Sequence, residues 1–200
     1  VVGRRGGGRI IAAMTYISLG SLALEAIPRL ETPDLVLRAP HPADLAAAVA
    51  LHQDPAFYRY LGNKPADEEA VWRRLLGQLG QWAALGYGSW ALEEKASGRY
   101  VGAVGFFEMQ RALTPSLRGT PEAGWVLAPG LHGRGYASQA LAAALAWADQ
   151  QLPAPRTACI IDPDNAASLR LAHKFGYRAY ARSPYDGGEV LLLERARPAQ

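Results

Sequence analysis

The chain has 200 residues, half of them hydrophobic and a fifth charged, which suits one domain with a full core and argues against disorder. Its net charge is only +3, and apart from Arg4, Arg5 and Arg9 the arginines are scattered, so the balance does not call for nucleic acid. The single cysteine, Cys159, rules out an intramolecular disulfide and a thiolate metal cluster, and it fits a reducing, cytoplasmic setting.

Residues 1–29 read as an N-terminal extension. The three arginines precede Ile10 to Ala26, a mostly apolar run that superficially resembles a secretory signal. Thr15, Tyr16, Ser18, Gly20 and Ser21 interrupt that run, which is too short and too polar to span a membrane. A plainer account is an extended or misplaced start, with Met14 as the first physiological residue and a poorly ordered arm before it. A single domain is expected over residues 30–196, followed by a short tail, 197–200.

Within that domain the first strand is read in TPDLVLR, bounded by prolines. A helix follows, with Pro42 and Asp44 in its first turn and Leu45, Ala48, Val49 and His52 as its stripe, closed by Asp54 and Pro55. FYRYLGNKP is an aromatic-rich connection. Asp67 to Leu85 is a second helix, with acidic residues at its positive end and Val71, Leu75, Leu79 and Trp82 facing inward. YGSWALEEK and YVGAVGFFEM then read as an antiparallel hairpin, and Gln110 to Pro121 as a surface loop.

EAGWVLA, from Glu122, is the next strand, and it passes through Pro129 and Gly130 into the loop HGRGYA. Ala137, Leu141, Ala144, Leu145, Ala148 and Leu152 mark the buried face of a long helix that starts directly after the loop. Strand, glycine loop and helix in that order put free backbone N–H groups at a helix N-terminus, open to an anion because Gly133 and Gly135 lack side chains. RTACIID is a strand holding Cys159 as a small core residue. A last helix, capped by Asn165 or Asp164 and stopped at Gly176, turns Ser168 inward with Leu171, Ala172 and Phe175. YRAYARSPY and EVLLLERA flank Asp186, Gly187 and Gly188 as a tight hairpin. The sum is an α+β fold: a mixed, mostly antiparallel, seven-stranded sheet flanked by about four helices.

The order of elements, the loop HGRGYA at 132–137 and the run DPDNAASLRLAHKFGY at 162–177 resemble the GNAT superfamily of acetyl-CoA-dependent N-acetyltransferases. TPDLVLR, at 32–38, is similar to the first strand of the branch that acetylates ribosomal-protein N-termini. The resemblance covers about residues 30–196. It implies acetyl-CoA as co-substrate and a primary amine as acceptor, at a protein or peptide N-terminus or on a small molecule. It implies that backbone N–H groups from Arg134 through Gly135, Tyr136 and Ala137 to Ser138, beside His132 and Gly133, hold the coenzyme pyrophosphate. It further implies that the strand at Trp125, Val126 and Leu127 splays from its neighbour and offers a backbone N–H to the thioester carbonyl. Two departures stand out. His132 replaces the usual Gln or Arg, and Ala172 occupies the position, seven residues after the asparagine, where many relatives carry a tyrosine acid.

Acetyl transfer to an amine needs a neutral lone pair, an oxyanion donor and a proton for the coenzyme sulfur. Glu122 is the candidate to accept the amine proton, set against a solvated strand-edge carboxylate; Glu108 is the rival. Asn165 is assigned to the pantetheine arm as well as to its cap, and Ser168 to the sulfur, against a bond to the preceding helical turn. Asp186 is a candidate for attracting a cationic amine, set against a plain turn residue. Tyr58, Tyr60, Tyr87, Trp90 and Phe107 are candidates for the acceptor cleft, with core packing as their alternative. The histidines share no metal-ligand spacing, so no metal is expected; no membrane partner is expected either, and a homodimer is compatible with the sequence. A dinucleotide fingerprint fails because Ser138 stands where its third glycine belongs, and a P-loop fails at Tyr136 and Ala137. A non-catalytic acyl-CoA sensor of the same fold is the remaining alternative.

Overall fold

The computed structural model describes residues 27–198. Eight strands form one sheet: β1 (Leu30–Glu31), β2 (Leu35–Arg38), β3 (Ser89–Glu94), β4 (Tyr100–Phe107), β5 (Glu122–Leu127), β6 (Arg156–Ile161), β7 (Arg178–Tyr185) and β8 (Gly188–Ala196). The helices are α1 (Leu45–His52), the single turn α2 (Pro55–Tyr58), α3 (Glu68–Leu85), α4 (Tyr136–Gln151) and α5 (Ala166–Lys174). The sheet order is β1-β2-β3-β4-β5-β6-β8-β7, antiparallel throughout except at the β5–β6 junction. That exception follows from α4, because only a long crossover returns the chain parallel to β5.

The strand beyond the expected seven lies in the first segment. Thr32 closes a tight turn, its N–H and hydroxyl both reaching the Leu35 carbonyl, so Leu30–Glu31 folds back onto Val36 and Leu37. Packing also starts ahead of the expected boundary at residue 30: Ile27 is buried and the Pro28 carbonyl accepts the Trp90 indole N–H at 2.7 Å. The arginines at the N-terminus, the run Ile10 to Ala26 and Met14 lie outside the described residues. Gln139 on α4 ties the first hairpin down, accepting from the Thr32 hydroxyl at 2.9 Å and donating to Asp34 at 2.7 Å.

Helices α2, α3 and α5 are started by side-chain caps, from Asp54, Asp67 and Asn165. The Asp67 carboxylate takes the Ala70 N–H at 2.7 Å, and the far end of α3 stops at Gly86 in the left-handed conformation. Val71, Leu75 and Trp82 are buried on its inner face. Trp82, Trp90 and Trp147 then meet edge to face, with centroids 4.9–5.4 Å apart, joining α3, β3 and α4 in the main core. Trp90 is fully buried there, so core packing, the alternative to a place in the acceptor cleft, is its role.

Side chains alternate across β5 and β6. Ala123, Leu127, Cys159 and Ile161 join the main core, whereas Ala158 and Ile160 face a second, small cluster on the opposite side, built from Leu113, Leu117, Leu192 and Tyr185. The loop 110–121 is therefore anchored on the sheet by two buried leucines. The Thr114 N–H, which donates to the buried Ser183 hydroxyl at 3.0 Å, adds a further tie. Glu122, paired in register with Ala158, lies under that loop.

Candidate active site

Strands β5 and β6 are paired only at Glu122 and Ala158, where the Ala158 N–H reaches the Pro121 carbonyl at 3.0 Å. Beyond that point they part, so the sheet opens toward the C-terminal ends of both strands. Such an opening is where ligands of α/β sheets bind. The glycine loop stands at the end of β5, and the N-terminus of α5 at the end of β6.

Parity decides which amides face the opening. The Ala128 N–H donates to the Val101 carbonyl at 2.8 Å, and Ala103 is paired with Val126 two positions on. Alternation in an antiparallel pair then turns the N–H groups of Val126 and Gly124 toward β4, and those of Trp125 and Leu127 toward the opening. Val126 is thus corrected as a backbone donor to the thioester: its amide is committed to β4. The Leu127 carbonyl, also on the open side, takes the His132 Nε2 at 3.2 Å, so the imidazole folds back on the strand.

Past His132, Gly133 and Gly135 both have positive φ, +79° and +81°, and a β-carbon at either would meet open space. Left-handed residues at these two places aim consecutive amides at one concavity and start α4 at Tyr136. Among the described residues no protein group accepts from the N–H groups of Gly133 to Ser138. That is the donor set a diphosphate requires. Two cations stand beside it. Lys174, at the end of α5, donates to the Ser138 hydroxyl at 3.0 Å, and the Arg134 guanidinium lies 4.6 Å from the centre of the Tyr136 ring.

The Tyr136 side chain itself is buried, its hydroxyl donating to Glu94 at 3.1 Å, so only its amide is available at the loop. Glu94 also takes the Ser97 hydroxyl at 2.6 Å and pairs with Arg134 at 3.3 Å. The hydrogen bond from Ser97, then that from Tyr136, hold the Glu94 carboxyl below its ordinary value. Sequence reasoning missed Glu94 and Lys174. The signal for Lys174 was its place in the last turn of the helix next to Gly176; for Glu94 there was none.

On α5, the Asn165 side chain accepts the Ser168 N–H at 3.1 Å, which uses its oxygen and leaves its amide nitrogen for a ligand. Ser168 is half-buried, and its hydroxyl makes no bond to the preceding turn. Ala172 is fully buried in the core.

Glu122 is not the solvated carboxylate of the alternative reading: it is 4 % exposed. Both its oxygens accept from Arg111 Nε, at 2.9 and 3.1 Å. The other side of that guanidinium donates to the Tyr185 hydroxyl and lies 5.0 Å from the Tyr185 ring centre. Burial pushes the Glu122 carboxyl above its ordinary value, and Arg111 pulls against it. Glu108, the rival base, is occupied with the loop, taking the Gly119 N–H at 3.1 Å and the Gln110 amide. Burial, with the charge of Glu122 adding, pushes the Cys159 thiol up, so it is no nucleophile.

Three surface segments meet around the opening. The Tyr60 hydroxyl donates to the Asp164 carbonyl at 3.1 Å, and Gly62 lies against the Asp186 carboxylate. Phe107 covers Gly124 on the Glu122 side of the sheet. Tyr60, Phe107 and Asp186 are therefore placed at the rim, whereas no contact ties Tyr58 or Tyr87 to it. Among the described residues no group of His, Cys, Asp or Glu is placed to hold a metal, and no helix is long and apolar enough to cross a membrane.

The profile of the acetyltransferase (GNAT) domain family matches residues 34–178. A Bordetella pertussis protein assigned to the GnaT acetyltransferase family is 34% identical, with a TM-score of 0.75 over 84% of this chain and 99% of the other. An acetyltransferase from Agrobacterium tumefaciens is 28% identical, with a TM-score of 0.72 over 84% of this chain and 94% of the other. A ribosomal L7/L12 α-N-protein acetyltransferase solved with coenzyme A shares the fold, at 17% identity and a TM-score of 0.68, over 84% of this chain and 98% of the other.

Proposed function

We propose that this chain, which belongs to the GNAT acetyltransferase family, moves the acetyl group of acetyl-CoA directly onto a primary amine in a ternary complex. The acceptor class is a protein or peptide N-terminus or a small-molecule amine. The observation that carries the reading is the opening between β5 and β6, flanked on one side by the unpaired amides of Gly133 to Ser138 and on the other by Asn165 and Ser168.

In this reading the amides, with Lys174 and Arg134 beside them, hold the coenzyme pyrophosphate. The pantetheine arm runs along β5, where Trp125 and Leu127 present their N–H groups. From Leu127 back to Glu122 is about 16 Å of strand, so the far end of the arm lies toward the carboxylate. The amine nitrogen bonds to the thioester carbon, a strand N–H stabilises the oxyanion, and the carbon–sulfur bond breaks. Glu122 receives the proton lost by the amine, through water because Arg111 and the loop cover it. Ser168, whose hydroxyl has no protein partner among the described residues, relays a proton from solvent to the departing sulfur.

A second reading, a non-catalytic acyl-CoA sensor, is favoured by one observation: Ala172 stands where a tyrosine acid would be expected. One assay separates the two. The chain is mixed with acetyl-CoA and a panel of peptides with free N-termini and small primary amines, and free thiol is followed. Transfer predicts thiol release with at least one acceptor, and E122Q should then lower the rate and remove the acid limb of its pH profile. Tight coenzyme binding with no thiol release from any acceptor would favour the sensor, and an unchanged E122Q profile would retire Glu122 as the base.

A further inference from the structure

The geometry points to Arg111 as a positioning residue for the transfer: clamped between Glu122 and Tyr185, it fixes the orientation and charge of the Glu122 carboxylate. The inference rests on Glu122 being the proton acceptor, as proposed above.

Arg111 comes from the loop between β4 and β5, eleven positions before Glu122, yet it is held at Nε, at one terminal nitrogen and on its face. Its Nε bridges both carboxylate oxygens, its terminal nitrogen donates to the Tyr185 hydroxyl, and the Tyr185 ring lies against its face. Tyr185 in turn packs with Leu113 and Leu117, the two leucines that seat the loop. The side chains of Arg111 and Glu122 are 19 % and 5 % exposed. A guanidinium fixed in this way is part of the wall and does not swing out to make room for a substrate.

Its consequence is chemical. A carboxylate this buried, without a partner, takes up a proton and ceases to be a base. The groups facing Glu122 are few: Arg111 from the loop and Tyr185 behind it on β7, with Glu108 and Arg118 lining the same shallow pocket; the Cys159 thiol, near enough to feel its charge, points to the main core on the other face of the sheet. Among the described residues only Arg111 makes a charge-assisted bond to the carboxylate. It pulls against the burial that would otherwise neutralise the carboxylate, and because burial still outweighs the pairing the carboxylate remains able to take a proton.

The test uses the full chain labelled with carboxyl-13C glutamate, with the Glu122 resonance identified by its loss in E122Q. In R111Q the titration midpoint of that resonance should rise by about one to three pH units, the usual effect of losing an adjacent opposite charge. Y185F, which frees the outer side of the guanidinium, should move it the same way by less, and R111K should lie between wild type and R111Q. A midpoint unmoved in a folded R111Q overturns the inference. Should R111Q not fold, midpoints unmoved in both R111K and Y185F overturn it equally. With an acceptor from the panel, the acid limb of kcat/KM should shift with the midpoint while the KM for acetyl-CoA stays put. A midpoint that moves without the acid limb would show that Arg111 governs Glu122 and that Glu122 is not the base. That outcome sinks the catalytic part of the inference separately from the hold of Arg111 on its partner.

Discussion

Gly135→Ala isolates the role of the loop, because the backbone cost of the change can be matched elsewhere in the same molecule. Gly135 sits at φ +81°, and an added β-carbon meets nothing within 4 Å. The cost to folding is then conformational: about 1–2 kcal/mol for an L-residue in the left-handed region. A gain of about 0.4–1 kcal/mol from the restricted unfolded chain offsets part of it. The net, about 1 kcal/mol, lowers the melting temperature of a domain this size by about 2–4 °C. Gly98, in the β3–β4 turn, has φ +66° and equally open surroundings, so Gly98→Ala should cost about the same. Coenzyme binding separates the two. At Gly135 the methyl stands in front of the amides, or the backbone turns away to relieve the strain, and either misplaces a donor. One lost charge-assisted bond, about 1.5–3 kcal/mol, weakens coenzyme A about ten- to a hundredfold in calorimetric titration. Gly98→Ala should leave that affinity alone. Equal affinities for the two variants, with equal melting shifts, would refute the assignment of Gly133 to Ser138 as the pyrophosphate site.

Lys174→Ala should weaken coenzyme A two- to fivefold, the equivalent of about 0.5–1 kcal/mol for an exposed charge, and the difference should vanish near 1 M salt. An effect that persists at high salt would mean that Lys174 acts through packing on α5 instead. Glu94 bears on acid stability. Its folded pKa is depressed, so its contribution is present above the unfolded carboxylate value and is lost as pH falls through the folded one. Urea midpoints of the wild type should therefore fall from about pH 5 downward. Glu94→Gln should flatten that fall, and superposed slopes would show that the contacts of Glu94 do not depend on its charge.

Much of the frame was legible in the sequence because the chain marks the places where backbone groups must be satisfied or φ must be positive. Asn165 caps the helix it was read as capping, Asp67, read as the first acid of its helix, caps it from one residue outside, Gly86 stops α3, and Asp186 with Gly187 turns the last hairpin. The glycine loop belongs to the same class of signal. What stayed hidden depends on how separate segments close on each other. A strand of two residues, Leu30–Glu31, is shorter than any window in which alternation can be seen, and its turn is held by a threonine hydroxyl instead of a glycine. Arg111 is one arginine in a polar loop until Leu113 and Leu117 seat that loop over Glu122. The buried Glu94 looks from the sequence like one of two equivalent acids at a strand end. Only the sheet register decides that Glu93 faces Arg38 while Glu94 faces Tyr136.

Register also sharpens the chemistry of β5. Read as a stretch, Trp125, Val126 and Leu127 look like three successive donors, but a strand offers its amides to alternate sides. With Ala103 holding Val126, the opening receives Trp125 and Leu127, two donors about 6.6 Å apart on one line. A slip of one residue in the β4–β5 pairing would exchange them for Val126 and would turn Glu122 away from Arg111 into the main core. The glycines of β4 oppose such a slip. A β-carbon on Gly102 would lie 2.2 Å from the Val126 carbonyl, and one on Gly105 2.3 Å from that of Gly88, so each glycine fits where it stands and a side-chain-bearing neighbour would not. The close approach of β4 to its neighbours therefore fixes which amides of β5 are spent within the sheet and which are left for the coenzyme. The residues that set this geometry have no side chains of their own.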